Sequence, residues 1–186
     1  MADRDEKAIG VLELRSVAAG IECVDTMLDT ADIFMLAATP ICPGKYIAVI
    51  GGDVASVTAA MDAGRDKGKE MVTDYVIIPN VHEDVLSAIN STTEVKEIEA
   101  VGVIETFSAA SAVIAADLAA KAANVKLIEV RLARGLGGKA YVILTGEVAE
   151  VESATLKGVE YPKEQGLLVK YVIIPSANGG LIDFLL

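Results

Sequence analysis

The sequence predicts an α+β protein, an α/β sandwich built from two tandem copies of one β-α-β-β-α-β unit. Three observations carry that expectation. Tyr75-Val76-Ile77-Ile78-Pro79 recurs letter for letter as Tyr171-Val172-Ile173-Ile174-Pro175. The segments before it answer each other in order, with an offset that drifts from 92 (Ala8 to Ala100) through 94 (Gly44 to Gly138) to 96 (Pro79 to Pro175). Finally, the order strand, helix, strand, strand, helix, strand can be read in each half. A two-copy period this long means tandem homologous domains and not a solenoid of short repeats.

The first half opens with an apolar strand, 8–14. Ser16 then supplies an N-cap oxygen for a helix running to about Thr30. On it Val17, Ile21, Val24 and Leu28 share one face, and Glu22, Asp25 and Asp29 another. A second strand, 33–38, leads into a punctuated loop, Thr39-Pro40-Ile41-Cys42-Pro43-Gly44. A third, 46–50, ends at Gly51-Gly52, where Asp53 caps a second helix to about Lys69. The last strand, 75–78, is closed by Pro79. The second half repeats the scheme, with strands near 100–106, 126–133, 139–145 and 168–174 and helices near 108–123 and 147–160. This is the ferredoxin-like pattern. The polar stretch from Asn90 to Glu97 reads as the joint, dividing the chain into domains 1–94 and 95–186. Each sheet has one face covered by helices, so the other must be covered by something else or lie solvated.

The bulk numbers narrow the function. At 186 residues the chain holds two domains of about 90 residues each. Hydrophobic residues make up 53% against 4% aromatics, so the cores are packed from Ala, Val, Ile and Leu. No apolar run reaches the roughly 18 residues of a membrane span, and the polar N-terminus has no signal-peptide core, which makes the cytoplasm the expected compartment. A net charge of -11 repels polyanions and argues against a nucleic-acid partner. High hydropathy beside that charge favours obligate oligomers. Two cysteines, Cys23 and Cys42, are not a disulfide framework. The sequence has no Cys-x-x-Cys, Walker loop, His-Glu-x-x-His or Ser-His-Asp set, and no acid–base pair stands out, so catalysis is not expected.

Ala100-Val101-Gly102-Val103-Ile104-Glu105-Thr106, Ala119 to Val125, Gly137 to Ile143 and Gly146-Glu147-Val148 together resemble the bacterial microcompartment shell domain. The first half matches the same template less tightly. The resemblance spans nearly the whole chain, twice and in order. It implies a homotrimer whose six domains mimic the hexagonal tiles of single-domain relatives, in a microcompartment shell beside other shell proteins. Thr39 to Lys45 is similar, further, to the loop of an iron–sulfur-bearing member of this family. That implies a 4Fe-4S cluster in a central pore.

An iron–sulfur cluster needs several thiolates, and one Cys per chain is too few. Threefold symmetry changes the count. If the loop between the second and third strands faces the axis, three copies of Cys42 supply three ligands and the fourth iron takes a non-protein ligand. Pro43 stiffens the loop and Gly44 lets its backbone turn close to a bulky group. The plainer reading of Cys42 is an ordinary loop thiol. Cys23, mid-helix among small residues, reads as buried packing. Ile41, Pro43 and Gly44 are expected to line the pore with Cys42. The counterpart loop, Arg134-Gly135-Leu136-Gly137, has no Cys and would alternate with it. Arg134 there is either a source of positive potential near the cluster or a solvated side chain.

The resemblance places the outer edge of the tile at Lys121, Asn80 and His82. His82, the one histidine, then packs at the edge and has no catalytic part. Asn80 and Ser176 stand where the family often has arginine, and Asp29 stands at the position equivalent to Lys121, so tile contacts are expected to be uneven. Three functions follow: a shell tile that passes electrons or clusters across the shell, with encapsulated redox enzymes as partners; a shell tile whose pore merely passes metabolites; or a ferredoxin-like small-molecule sensor.

Overall fold

The computed structural model describes residues 8–95, 97–133, 135–182 and 184–185. The chain divides into two compact units, one ending at Val81 and one beginning at His82. The sequence reading divides at 94/95. The difference comes from a short helix, Glu83–Ile89 (α3), which belongs to the second unit because it packs on a strand and a helix there.

The first unit holds β1 (Ala8–Leu14), α1 (Val17–Thr30), β2 (Phe34–Ile41), β3 (Lys45–Gly52), α2 (Val54–Gly68), a 3-10 turn (Lys69–Met71) and β4 (Val72–Pro79). After α3 the second unit holds β5 (Ala100–Thr106), α4 (Ala109–Ala122), β6 (Lys126–Arg131), β7 (Ala140–Gly146), α5 (Val148–Gly158), α6 (Glu160–Glu164), β8 (Leu168–Ile174) and α7 (Gly179–Ile182). Both sheets are antiparallel, in the order β2-β3-β1-β4 and β6-β7-β5-β8. This is the α+β arrangement expected from the sequence.

Local chemistry sets the helix starts. Ser16 and Ser108, 92 residues apart, each accept a backbone N–H from three residues on, Ala19 and Ser111. Asp53 accepts from Ala55 and Ser56 at 2.9 and 3.0 Å. In the first unit Leu12, Leu14, Ala48 and Ile50 of the sheet close on Cys23 and Met27 of α1 and on Val57, Ala60 and Met61 of α2. Each large side chain so buried contributes about 1.5–3 kcal/mol. In the second unit eight of the fourteen residues of α4 are alanine, and Gly158 lets α5 come close: a Cβ there would stand 2.9 Å from the Ala115 carbonyl oxygen. The sheet face away from the helices is also covered, since Val95, Ile98, Ala177 and Leu185 pack on Val101, Ile128 and Ile143.

Two expectations need correction. The second strand does not stop at 38 but continues to Ile41, with Thr39 opposite Ile47 and Pro40 opposite Tyr46. Proline survives there because β2 is an edge strand, where a missing N–H costs no ladder bond. The expected 147–160 helix breaks after Gly158, and a separate turn, α6, takes Pro162 in its first turn.

Candidate functional site

Because β2 runs to Ile41, which pairs with Lys45, the loop shrinks to a three-residue hairpin, Cys42-Pro43-Gly44. Gly44 has φ +71, the left-handed conformation that closes such hairpins, and a Cβ there would meet nothing within 4 Å. The Cys42–Pro43 peptide is cis. Ile41 is buried and anchors the hairpin, while Cys42, Pro43 and Gly44 are exposed. A thiol thus stands at the apex of a tight turn on a strand pair rooted in the core. Cys23 is the opposite case: it is buried in the first core, and burial, helped by the Glu22 carboxylate, pushes its thiol above the ordinary range.

At the foot of the hairpin Lys45 Nζ lies 3.5 Å from Glu13 Oε2, the latter buried on β1. The second unit repeats the pair as Lys139 Nζ to Glu105 Oε1 at 2.5 Å. There the β6–β7 connection is longer and rich in left-handed backbone: Ala133, Gly135, Gly137 and Gly138 all have positive φ. Gly135 and Gly137 are exposed and Leu136 half-buried. Arg134 lies outside the described residues.

Two of the residues expected at the tile edge, His82 and Lys121, are brought together on Asp117. The backbone N–H of His82 donates to Asp117 Oδ1 at 2.8 Å, and Lys121 Nζ donates to Asp117 Oδ2 at 2.7 Å. His82 also caps α3, its Nδ1 accepting the Asp84 N–H at 3.2 Å, while Asp84 Oδ1 takes Lys126 Nζ at 2.6 Å. Asn80 precedes them in left-handed backbone, φ +51. His82 and Asp84, with Asn124 and Lys126, line an open cleft of about 460 Å³. Sequence reasoning missed Asp117, Asp84 and α3 itself. The signals were there: one aspartate inside an alanine helix, and Val85, Ala88 and Ile89 at helical spacing behind an acidic first turn. Among the described residues no chain-internal group of three His, Cys, Asp or Glu could hold a metal ion. No helix there is long and apolar enough to cross a membrane.

A family model described as BMC domain matches residues 8–81 and again 100–177. The chain belongs to that family and is a tandem-domain shell protein of bacterial microcompartments. It is 43% identical over 172 residues to the bacterial microcompartment shell protein PduT of Citrobacter freundii, an alignment that covers 92% of this chain and 94% of that protein. The crystal structure of a microcompartment protein from Desulfitobacterium hafniense DCB superposes with a TM-score of 0.92 at 48% identity, covering 96% of this chain and 99% of that one. The carboxysome assembly protein CcmO of Synechococcus sp. is 28% identical over 98% of this chain and 70% of its own length.

Proposed function

We propose that this shell protein is a homotrimeric facet tile in which three Cys42 thiolates, one per chain, hold a 4Fe-4S cluster on the threefold axis. The observation that carries the reading is the exposed thiol at the apex of a three-residue hairpin whose strands are rooted in the core. The donor chemistry fits: thiolate is the ligand iron–sulfur clusters take, and three copies of one thiol give the set that a single chain lacks. A fourth, non-protein ligand completes the cluster. The similarity of Thr39 to Lys45 to an iron–sulfur-bearing loop supports the same reading. When bound, the cluster would supply one-electron transfer. The chain's own part is to hold the thiols: Ile41 anchors the hairpin, Gly44 closes it, and the Glu13–Lys45 pair fixes its foot.

In this reading the tile carries electrons or clusters across the shell between the outside and encapsulated redox enzymes, and it tiles with other shell proteins through Lys121, His82 and Asn80. Its work is not catalytic. The pore positions are Ile41 to Gly44 from the first unit and residues 134–137 from the second. Anaerobic purification followed by iron and sulfide counting and light scattering tests it. About four irons per trimer is the expected result. A colourless, iron-free trimer after anaerobic reconstitution leaves the alternative, a pore that passes metabolites.

A further inference from the structure

The two halves of the chain treat one helix differently. In the second unit the outward face of α4 is closed: Val113 is 0% and Ala120 7% exposed. Part of what closes it is α3, the segment that follows β4 of the preceding unit. Its Val85 and Ala88 are fully buried, and its start is tied to α4 by the His82 N–H on Asp117 Oδ1 at 2.8 Å. The offset of 92 residues carries that face onto α1. There the counterparts of Val113 and Ala120 are Ile21, 56% exposed, and Leu28, 47% exposed, and the counterpart of Asp117 is the exposed Asp25. Ile21, Asp25 and Leu28 follow at i, i+4 and i+7, so they form one stripe.

The offset of 96 identifies what should cover that stripe. The segment following β8 is the counterpart of α3, with Asn178 in the place of His82, Leu181 of Val85 and Phe184 of Ala88. In the single chain Ala177 holds the start of this segment on its own unit, its N–H donating to Glu99 O at 3.2 Å. Leu185 packs on its own unit as well, and between these two anchors Leu181 and Phe184 stand exposed, Phe184 at 88%. In the order of the repeat, a segment that leaves one unit covers the helix of the next. Around a ring, the unit after the second unit of one chain is the first unit of a neighbouring copy.

We infer that the segment after β8 is a strap that docks on α1 of the next copy, with the Asn178 N–H on the Asp25 carboxylate and Leu181 and Phe184 over Ile21 and Leu28. The inference rests on the ring reading above, and it adds the surface by which copies grip one another. Two apolar surfaces that stand bare in one chain would be removed from water together.

The test is a disulfide. Asp25→Cys and Asn178→Cys are placed together in the full chain, both at exposed positions, so neither disturbs a core. The purified protein is oxidised with diamide under anaerobic conditions, with each single variant as the control for pairing through Cys42. Strap docking gives a non-reducing gel ladder of two and three chains, absent from both controls. Light scattering is run on the same sample before oxidation. A trimer that forms no interchain disulfide, or only an intrachain one, overturns the strap and leaves the trimer standing. A monomer overturns the ring reading and the strap with it.

Discussion

Glu13 and Lys45 form their ion pair with the carboxylate inside the protein and the ammonium at its surface, and Glu105 and Lys139 repeat the pair with both partners part-exposed. The side chain of Glu13 is 2% exposed and that of Glu105 is 32%. The pairs span 32 and 34 residues, so closely matched spacing has produced unequal electrostatics, because the value of an ion pair depends on what water remains around it.

Lys45→Met and Lys139→Met should separate accordingly. Removing Lys45 takes the cation from a buried carboxylate and should cost about 3 kcal/mol, the low end for a buried pair because the lysine itself is part-solvated. Removing Lys139 should cost under about 1 kcal/mol. Urea denaturation of the two variants checks the order, and equal losses would refute the burial argument.

Cys42→Ser should abolish bound iron and leave the trimer, whereas Cys23→Ser should keep it. A serine oxygen is harder and far less acidic than a thiolate, so three of them do not hold the cluster. Iron per trimer and light scattering against three times the chain mass of 19.4 kDa are the measurements. About four irons in Cys42→Ser would end the pore-cluster reading.

Tyr75 should titrate late. Its hydroxyl donates to Asp62 at 2.9 Å; burial first, then that carboxylate, push its pKa up to about 12, against the opposing effect of Arg65 over its ring. The folded state thus holds the phenol proton more tightly than the unfolded chain. The stability gained is complete below the ordinary tyrosine range near pH 10 and is lost as pH rises from there to about 12. Phenolate absorbance should show a late-ionising tyrosine that Tyr75→Phe removes.

Lys121→Ala should reduce incorporation into shells while the trimer persists. It should also lower stability by about 1 kcal/mol, because Lys121 neutralises the buried Asp117 that holds His82. Co-purification with shells, set beside a melting curve, reads both effects, and normal incorporation would place Lys121 away from the edge.

Much of this architecture was legible in the residues. The duplicated pentapeptide, the serine cap at 16 and the aspartate cap at 53 are local signals, and local signals decide helix starts and strand cores. What escaped was set by the sheet and by neighbours. Thr39 to Ile41 read as loop because Pro40 breaks a central strand, and only sheet order reveals that β2 is an edge. Asp84 and the contact of Asp117 with His82 escaped because the partners, Lys126 and His82, lie 42 and 35 residues away. Cys42 stood out through its loop, but its place at the apex of a turn as short as three residues depended on the length of β2.

The alanine packing of α4 sets how far the two copies could diverge. Ala109, Ala112, Ala115, Ala116 and Ala119 are wholly buried, and the α4 backbone at Ala115 stands 2.9 Å from where a side chain on Gly158 of α5 would begin. Any larger residue on that face collides, at a cost of about 1–3 kcal/mol. Large substitutions on that face of α4 should therefore be rare. The outer stripe of α1 is exposed in the chain, so descendants of this duplication should carry more of their differences there than on the buried face of α4.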